Sequence, residues 1–279
     1  MHSMCSRVLG TAALAMWIVT PASAQPPKPI TPDLSHLASG QGAQVFNRSV
    51  AIAKDGDRTV ARLDSRTGDG GAWLDGVQLG DGVIEVDLRG KDVAQQSFLG
   101  IAFHVVDWTT YEAVYFRPFN FKAAGVDSRS HGVQYISHPA NTWQKLRAER
   151  PGQFEKAVEP PPDPNGWFHA RIVLANSKVE VYVNGAATPS LVVDDLGEQK
   201  SGGVALWAGN NSDGAFANLT ITPAAAGRIA EQMVQDDVLE MYKPQFSLLE
   251  FLTSDALIPR VVAALKQGAL KSTDRIGPA

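Results

Sequence analysis

Glu85, Asp87 and Arg89 alternate with Ile84, Val86 and Leu88 in the run GVIEVDLRG. A strand sends successive side chains to opposite faces, so the charged trio shares one face and the apolar trio the other. Two carboxylates two residues apart are raw material for acid–base chemistry. A glycoside-cleaving pair, however, needs one carboxyl to keep its proton, and Arg89 beside them favours the charged form of both. The trio becomes a site only if neighbouring strands add groups to it.

The same parity supplies them. In FLGIAFHVVD, Leu99, Ile101, Phe103 and Val105 oppose Gly100, Ala102 and His104; in YEAVYFRP, Tyr111, Ala113, Tyr115 and Arg117 oppose Glu112, Val114 and Phe116. His104 and Arg117 are thereby predicted on the non-core faces of neighbouring strands. In GVQYISHP, Gln134, Ile136 and His138 alternate with Val133, Tyr135 and Ser137. Acids, basic groups, an amide and rings together suit a sugar, whose hydroxyls take polar partners and whose C–H faces stack on aromatic rings. Trp73, Trp108, Trp143 and Tyr115 are the stacking candidates, Trp108 and Trp143 in expected turns. Trp167 and Trp207 sit inside strand-like runs and read as core.

The elements that must position these groups are short. From about Gln44 to Thr222 the chain is a series of some eleven alternating segments bounded by Gly, Asp, Asn or Pro, the pattern of an antiparallel sandwich or barrel. LANSKVEVYVNG reads as a hairpin turning at Asn176-Ser177, with Asn184-Gly185 closing it. Residues 149–166 hold five prolines and little alternation, which predicts a surface loop. After Pro223 the apolar period becomes helical, predicting a C-terminal helical extension over 224–279. Its Met, Leu and Val face is expected to clasp the sandwich, with self-association through QFSLLEFL as the alternative.

The chain has 279 residues, 44% hydrophobic and 19% charged, with a formal net charge of -4. That is enough for one large core, and it argues against a nucleic-acid partner, which selects a basic face. Residues 1–24 carry Arg7, an apolar run and Ala22-Ser23-Ala24, the pattern of a cleaved signal peptide. No later apolar run is long enough to suggest a membrane span. A secreted or periplasmic protein is therefore expected, with residues 25–43 as an extended mature N-terminal segment. The single cysteine, Cys5, would leave with the signal. No His or Cys group has zinc spacing, and neither a phosphate loop nor a Gly-x-Ser-x-Gly nucleophile motif is present. AGNNSDGAFAN, ending at Asn218, offers oxygens that suit a structural calcium, although its spacing fits no defined loop.

The stretches GDGVIEVDLRG, FLGIAFHVVDWTTYEAVYFRPFNF, GVQYISHP, TWQKLR, NGWFHARIVLANSKVEVYVN, PSLVVDDLG and GGVALWAGNNSDGAFANLTI together resemble the concanavalin A-like lectin/glucanase superfamily. Within it, the 3-keto-disaccharide hydrolase domain family is the most similar. The resemblance covers about residues 44–222 and implies an all-β, two-sheet antiparallel jelly-roll sandwich. Its concave face would bind or process carbohydrate with Glu85, Asp87, His104, Tyr115, Arg117 and Gln134. It also implies that superfamily relatives hold a structural calcium and that some cleave oxidised sugars by elimination.

Classical glucanases of the superfamily carry Glu-x-Asp-x-(x)-Glu on one strand. Here Glu85 and Asp87 match the first two places, but Arg89 and Gly90 stand where the acid would be. An elimination would instead use a base near neutral pH, for which His104 is the candidate, with Arg117 or Arg89 on the developing enolate oxygen. Arg89, Trp108, Tyr115, Gln134, His138 and Trp143 complete the expected binding surface. Three functions are open: glycan binding, hydrolase or lyase action on glycosides in the same groove, and a non-catalytic adhesion sandwich.

Overall fold

The alternating segments close into two seven-stranded antiparallel sheets in the computed structural model, which describes residues 27–224. The expected signal, the expected helical extension beyond residue 224 and Cys5 lie outside the described residues. In spatial order, the first sheet runs β1 (Ala43–Phe46), β4 (Gly70–Leu74), β13 (Gly203–Ala208), β6 (Leu99–Asp107), β7 (Thr110–Phe116), β8 (Val133–His138) and β9 (Glu155–Lys156). The second runs β12 (Leu191–Asp194), β11 (Lys178–Val183), β10 (Phe168–Ala175), β5 (Gly82–Arg89), β14 (Ser212–Pro223), β3 (Arg58–Arg66) and β2 (Val50–Asp55). This is the two-sheet jelly roll that the superfamily resemblance implied.

The sheets meet through their apolar faces. Ile84, Val86 and Leu88 of β5 are fully buried, as are Leu99, Ile101 and Phe103 of β6 and Val114 and Phe116 of β7. Phe116 meets Phe168 of β10 edge-on, with ring centroids 5.0 Å apart, which joins one sheet to the other. Each such side chain contributes about 1.5–3 kcal/mol by leaving water.

The structure divides the chain more finely than the sequence pattern did. AQVFNRSVAIA, expected as one segment, breaks at Asn47, whose φ of 47° turns the chain. β1 then joins the first sheet and β2 the second. β4 and β9 were not foreseen, since one opens with two glycines and the other is two residues inside the proline-rich loop. The expected hairpin is present: Asn176 and Ser177 take left-handed φ values of 53° and 56° between β10 and β11. The segment expected to be extended before β1 instead folds Leu34–Ser39 into a 3-10 turn. Asp33 caps it, and Leu34 and Leu37 enter the core.

Three short helices decorate the first sheet: α1 (Pro118–Phe121), α2 (Val126–Arg129) and α3 (Trp143–Glu149). Thr142 caps α3 by accepting from Lys145 N–H. None of the described helices is long and apolar enough to cross a membrane.

Candidate functional site

One row of register partners crosses the whole outer face of the first sheet: Phe46, Gly71, Trp207, Gly100, Tyr115, Gln134 and Glu155. Directly paired residues point to the same face. The two glycines have no choice of residue, because a Cβ at Gly100 would run into the Val114 carbonyl and one at Gly71 into the Leu206 carbonyl. Over Gly100 the rings of Trp207 and Tyr115 lean together, with centroids 4.9 Å apart.

A cavity of about 480 Å³ opens on this face. Trp207, Tyr115, Ile136 and His138 form its strand side, α3 adds Trp143 and Arg147, and Phe98, Asp69 and Asn210 close it from loops. Trp143 and Arg147 are one helical turn apart, and the guanidinium lies 5.0 Å from the Trp143 ring centroid. Trp143 is the exposed ring of the site at 39%, whereas Tyr115 and Trp207 are buried.

The polar end of the cavity is held by Arg117, the single residue between the end of β7 and Pro118 at the start of α1. Its Nη2 donates to the Tyr115 hydroxyl at 2.8 Å and to Gln134 Oε1, and its Nη1 donates to His131 O at 3.0 Å. Glu155 lies behind it, with Oε2 3.5 Å from Arg117 Nη1 and 2.8 Å from His131 Nδ1. Arg147 clamps Glu155 in a bidentate pair, Nε to Oε1 at 2.7 Å. Burial pushes Glu155 up, but the Arg147 hydrogen bonds and the charges of Arg147, His131 and Arg117 outweigh it and hold it below its ordinary value. Burial lowers Arg117 and pushes Tyr115 up to about 12, so the phenol keeps its proton.

Opposite stands Asp69. Tyr111 donates to its Oδ2 at 3.4 Å and accepts from Trp207 Nε1 at 3.3 Å. Burial holds Asp69 above the usual carboxylate range, and burial lowers His138, which stacks flat on Tyr111 at 5.0 Å.

Of the residues singled out in the sequence, the structure brings together Tyr115, Arg117, Gln134, His138 and Trp143. Gln134 acts from behind, through Arg117. Trp108 lies farther along the same face, over Gly71 and stacked on Phe46 at 5.3 Å, outside the cavity.

Four expectations are corrected. Glu85, Asp87 and Arg89 stand on the outer face of the second sheet, with the core between them and the cavity. Parity assigns a side chain to a face but not a strand to a sheet, and the two polar faces of a sandwich point apart. Asp87 there accepts from Arg58, His169 and Asn218, while Arg89 pairs with Asp55 at 2.8 Å.

His104 is the fourth. Between Ala102 and Val105, β6 carries one residue more than β13, and His104 takes a left-handed φ of 48°. A bulge shifts the alternation by one residue. The ring turns to the side of Glu112, the partner of Phe103, and its Nδ1 meets Glu112 Oε1 at 2.7 Å. It is therefore not a base in this cavity.

Sequence reasoning missed Asp69, Phe98, Arg147, Glu155 and Asn210. Asp69 lies in the glycine-rich run RTGDGG that joins β3 to β4, where no alternation marks a face. Trp207 was read as core; it is 3% exposed, yet its edge lines the cavity.

No protein-family model matches the chain, and no curated protein matches it. Several solved structures are similar in shape at low identity. The carbohydrate binding module CBM66 of Bacillus subtilis is 15% identical, with a TM-score of 0.47 over 65% of this chain and 95% of that one. The Bacillus licheniformis β-glucanase is 14% identical, with a TM-score of 0.42 over 66% and 94%. Domain 4 of AbnA, an extracellular arabinanase of Geobacillus stearothermophilus seen with arabinotriose, is 14% identical, with a TM-score of 0.42 over 66% and 82%. The sugar chemistry in those names is theirs.

Proposed function

We propose that this protein binds a glycan in the cavity on the outer face of the first sheet. The observation that carries the proposal is the pairing of an exposed ring, Trp143, with convergent polar groups on a rigid floor: Arg117 fixed by Tyr115 and Gln134, Arg147 fixed by Glu155, and Asp69 opposite. A sugar ring needs this combination, an apolar face for its C–H groups and fixed donors and acceptors for its hydroxyls. Because the floor groups are already ordered, little entropy is lost on binding. Export through residues 1–24 belongs to the same proposal and rests on the sequence pattern.

A second reading, cleavage of the bound sugar, draws on Asp69. A carboxyl held above its usual range in a cavity is suited to donate a proton to a leaving oxygen. Action on 3-keto sugars rests on the sequence resemblance alone, and His104 has no part in it. A glycan array probed with the whole chain, followed by a product screen on the bound sugars in intact and 3-keto form, tests both readings. Binding without product supports the first, product lost in Asp69→Asn supports the second, and no bound glycan defeats both.

A further inference from the structure

A second cavity, of about 290 Å³, lies next to the first, and the two linings share only His138. Its inner wall holds His104 and Glu112, 4% and 2% exposed, under the segment that follows β12. Asp195 of that segment joins them, so that one ligand atom from each of the three lies within 4.8 Å of the others. We propose that His104, Glu112 and Asp195 bind a first-row divalent cation of the zinc type, with the cavity giving access to the remaining coordination position.

The donor set selects that class. One imidazole nitrogen and two carboxylate oxygens suit zinc, which takes three protein ligands and leaves a fourth place open where a site meets solvent. Calcium, which takes six to eight oxygens, is poorly served by a ring nitrogen in a buried corner.

Each ligand is also oriented from behind, as metal ligands are. His104 Nε2 lies 3.4 Å from Gly80 O, and the tautomer that donates there leaves the Nδ1 lone pair facing the two acids. Tyr135 donates to Glu112 Oε2 while accepting from Leu196 N–H at 2.8 Å. Asp195 Oδ1 accepts from Gly197 N–H at 2.9 Å and pairs with Lys200 at 3.0 Å.

Two carboxyl groups in contact away from water need a proton or a cation between them. Lys200 approaches Asp195 alone, from a half-exposed position, while Glu112 meets His104 Nδ1 and the Tyr135 hydroxyl and has no Lys or Arg partner among the described residues. The cavity separates this arrangement from a sealed ion pair, because Thr110, Glu198 and Gln199 line an approach with further oxygen atoms. In a tetrahedral site with bonds of about 2.0–2.1 Å, ligand atoms stand about 3.3 Å apart, so the His104–Glu112 contact must open by about 0.6 Å.

The test uses the full chain, stripped with chelator and dialysed, then titrated separately with Zn2+, Mn2+ and Ca2+. Bound metal is counted by mass spectrometry, and Co2+ serves as a visible-absorption reporter. One Zn2+ per chain is expected, preferred over Ca2+, with cobalt bands in the visible. Affinity should fall at least tenfold in His104→Gln and in Asp195→Asn and be unchanged in Glu85→Gln on the second sheet. Circular dichroism of each variant shows whether it folds, and if one of the two does not, the other decides. Absence of stoichiometric binding, a preference for Ca2+, or binding unchanged in a folded His104→Gln or Asp195→Asn variant overturns the proposal.

Discussion

The Arg117 guanidinium donates to the Tyr115 hydroxyl at 2.8 Å while its carbon lies 5.0 Å from the centroid of the same ring. With Gln134 and His131 O as further acceptors and Glu155 as counter-charge, a 5% exposed cation is fixed at the polar end of the cavity. Arg117→Met removes the cation and leaves those acceptors facing an apolar side chain. Unfolding free energy should fall by about 3 kcal/mol, the scale for breaking a buried pair from one side. Urea denaturation measures it, and a loss under 1 kcal/mol would contradict the arrangement.

Trp143 is exposed at the rim, so its removal should spare the fold and weaken the ligand. Trp143→Ala should cost about 0.5–1.5 kcal/mol of glycan affinity, roughly 2- to 10-fold. Titration calorimetry alongside an unchanged melting temperature is the check.

Glu155 also makes a prediction in pH. Its folded-state value lies below the ordinary 4.5, so the unfolded chain binds this proton more readily. The stability it contributes is present above about pH 4.5 and is lost as pH falls through the lower folded value. The difference in unfolding free energy between the wild type and Glu155→Gln should be flat near neutrality and shrink below pH 4.5. A difference that does not change from pH 7 to 3 would sink the assignment.

Gly100→Ala places a methyl group against the Val114 carbonyl beneath the Trp207 and Tyr115 rings. Forced overpacking of this kind costs about 1–3 kcal/mol, so a lowered melting temperature is expected, together with a disturbed cavity. A neutral or stabilising outcome would mean that the row is not packed as described.

The two-sheet fold was legible because alternation sorts each strand into an apolar and a polar side. GVIEVDLRG does carry Ile84, Val86 and Leu88 inward and Glu85, Asp87 and Arg89 outward. The partner of a strand was not legible. β5 lies between β10 and β14, about 80 and 130 residues downstream, while β7 lies between β6 and β8 in the other sheet. Pairing is decided by contacts of that range, and local pattern does not contain them. His104 was lost to a single inserted residue, which exchanges faces without changing composition. Tyr115, Arg117 and Gln134 came out together because adjacent short segments formed adjacent strands with no bulge between them.

The central claim is that a glycan sits between Trp143 and the Arg117 floor, on the face opposite the Glu85 row. A glycan-array screen of the wild type, with the best-bound sugar then titrated into Trp143→Ala and Glu85→Ala, tests it most directly. Weakened binding in Trp143→Ala and wild-type binding in Glu85→Ala are expected. No bound glycan, or binding lost in Glu85→Ala and kept in Trp143→Ala, would contradict it.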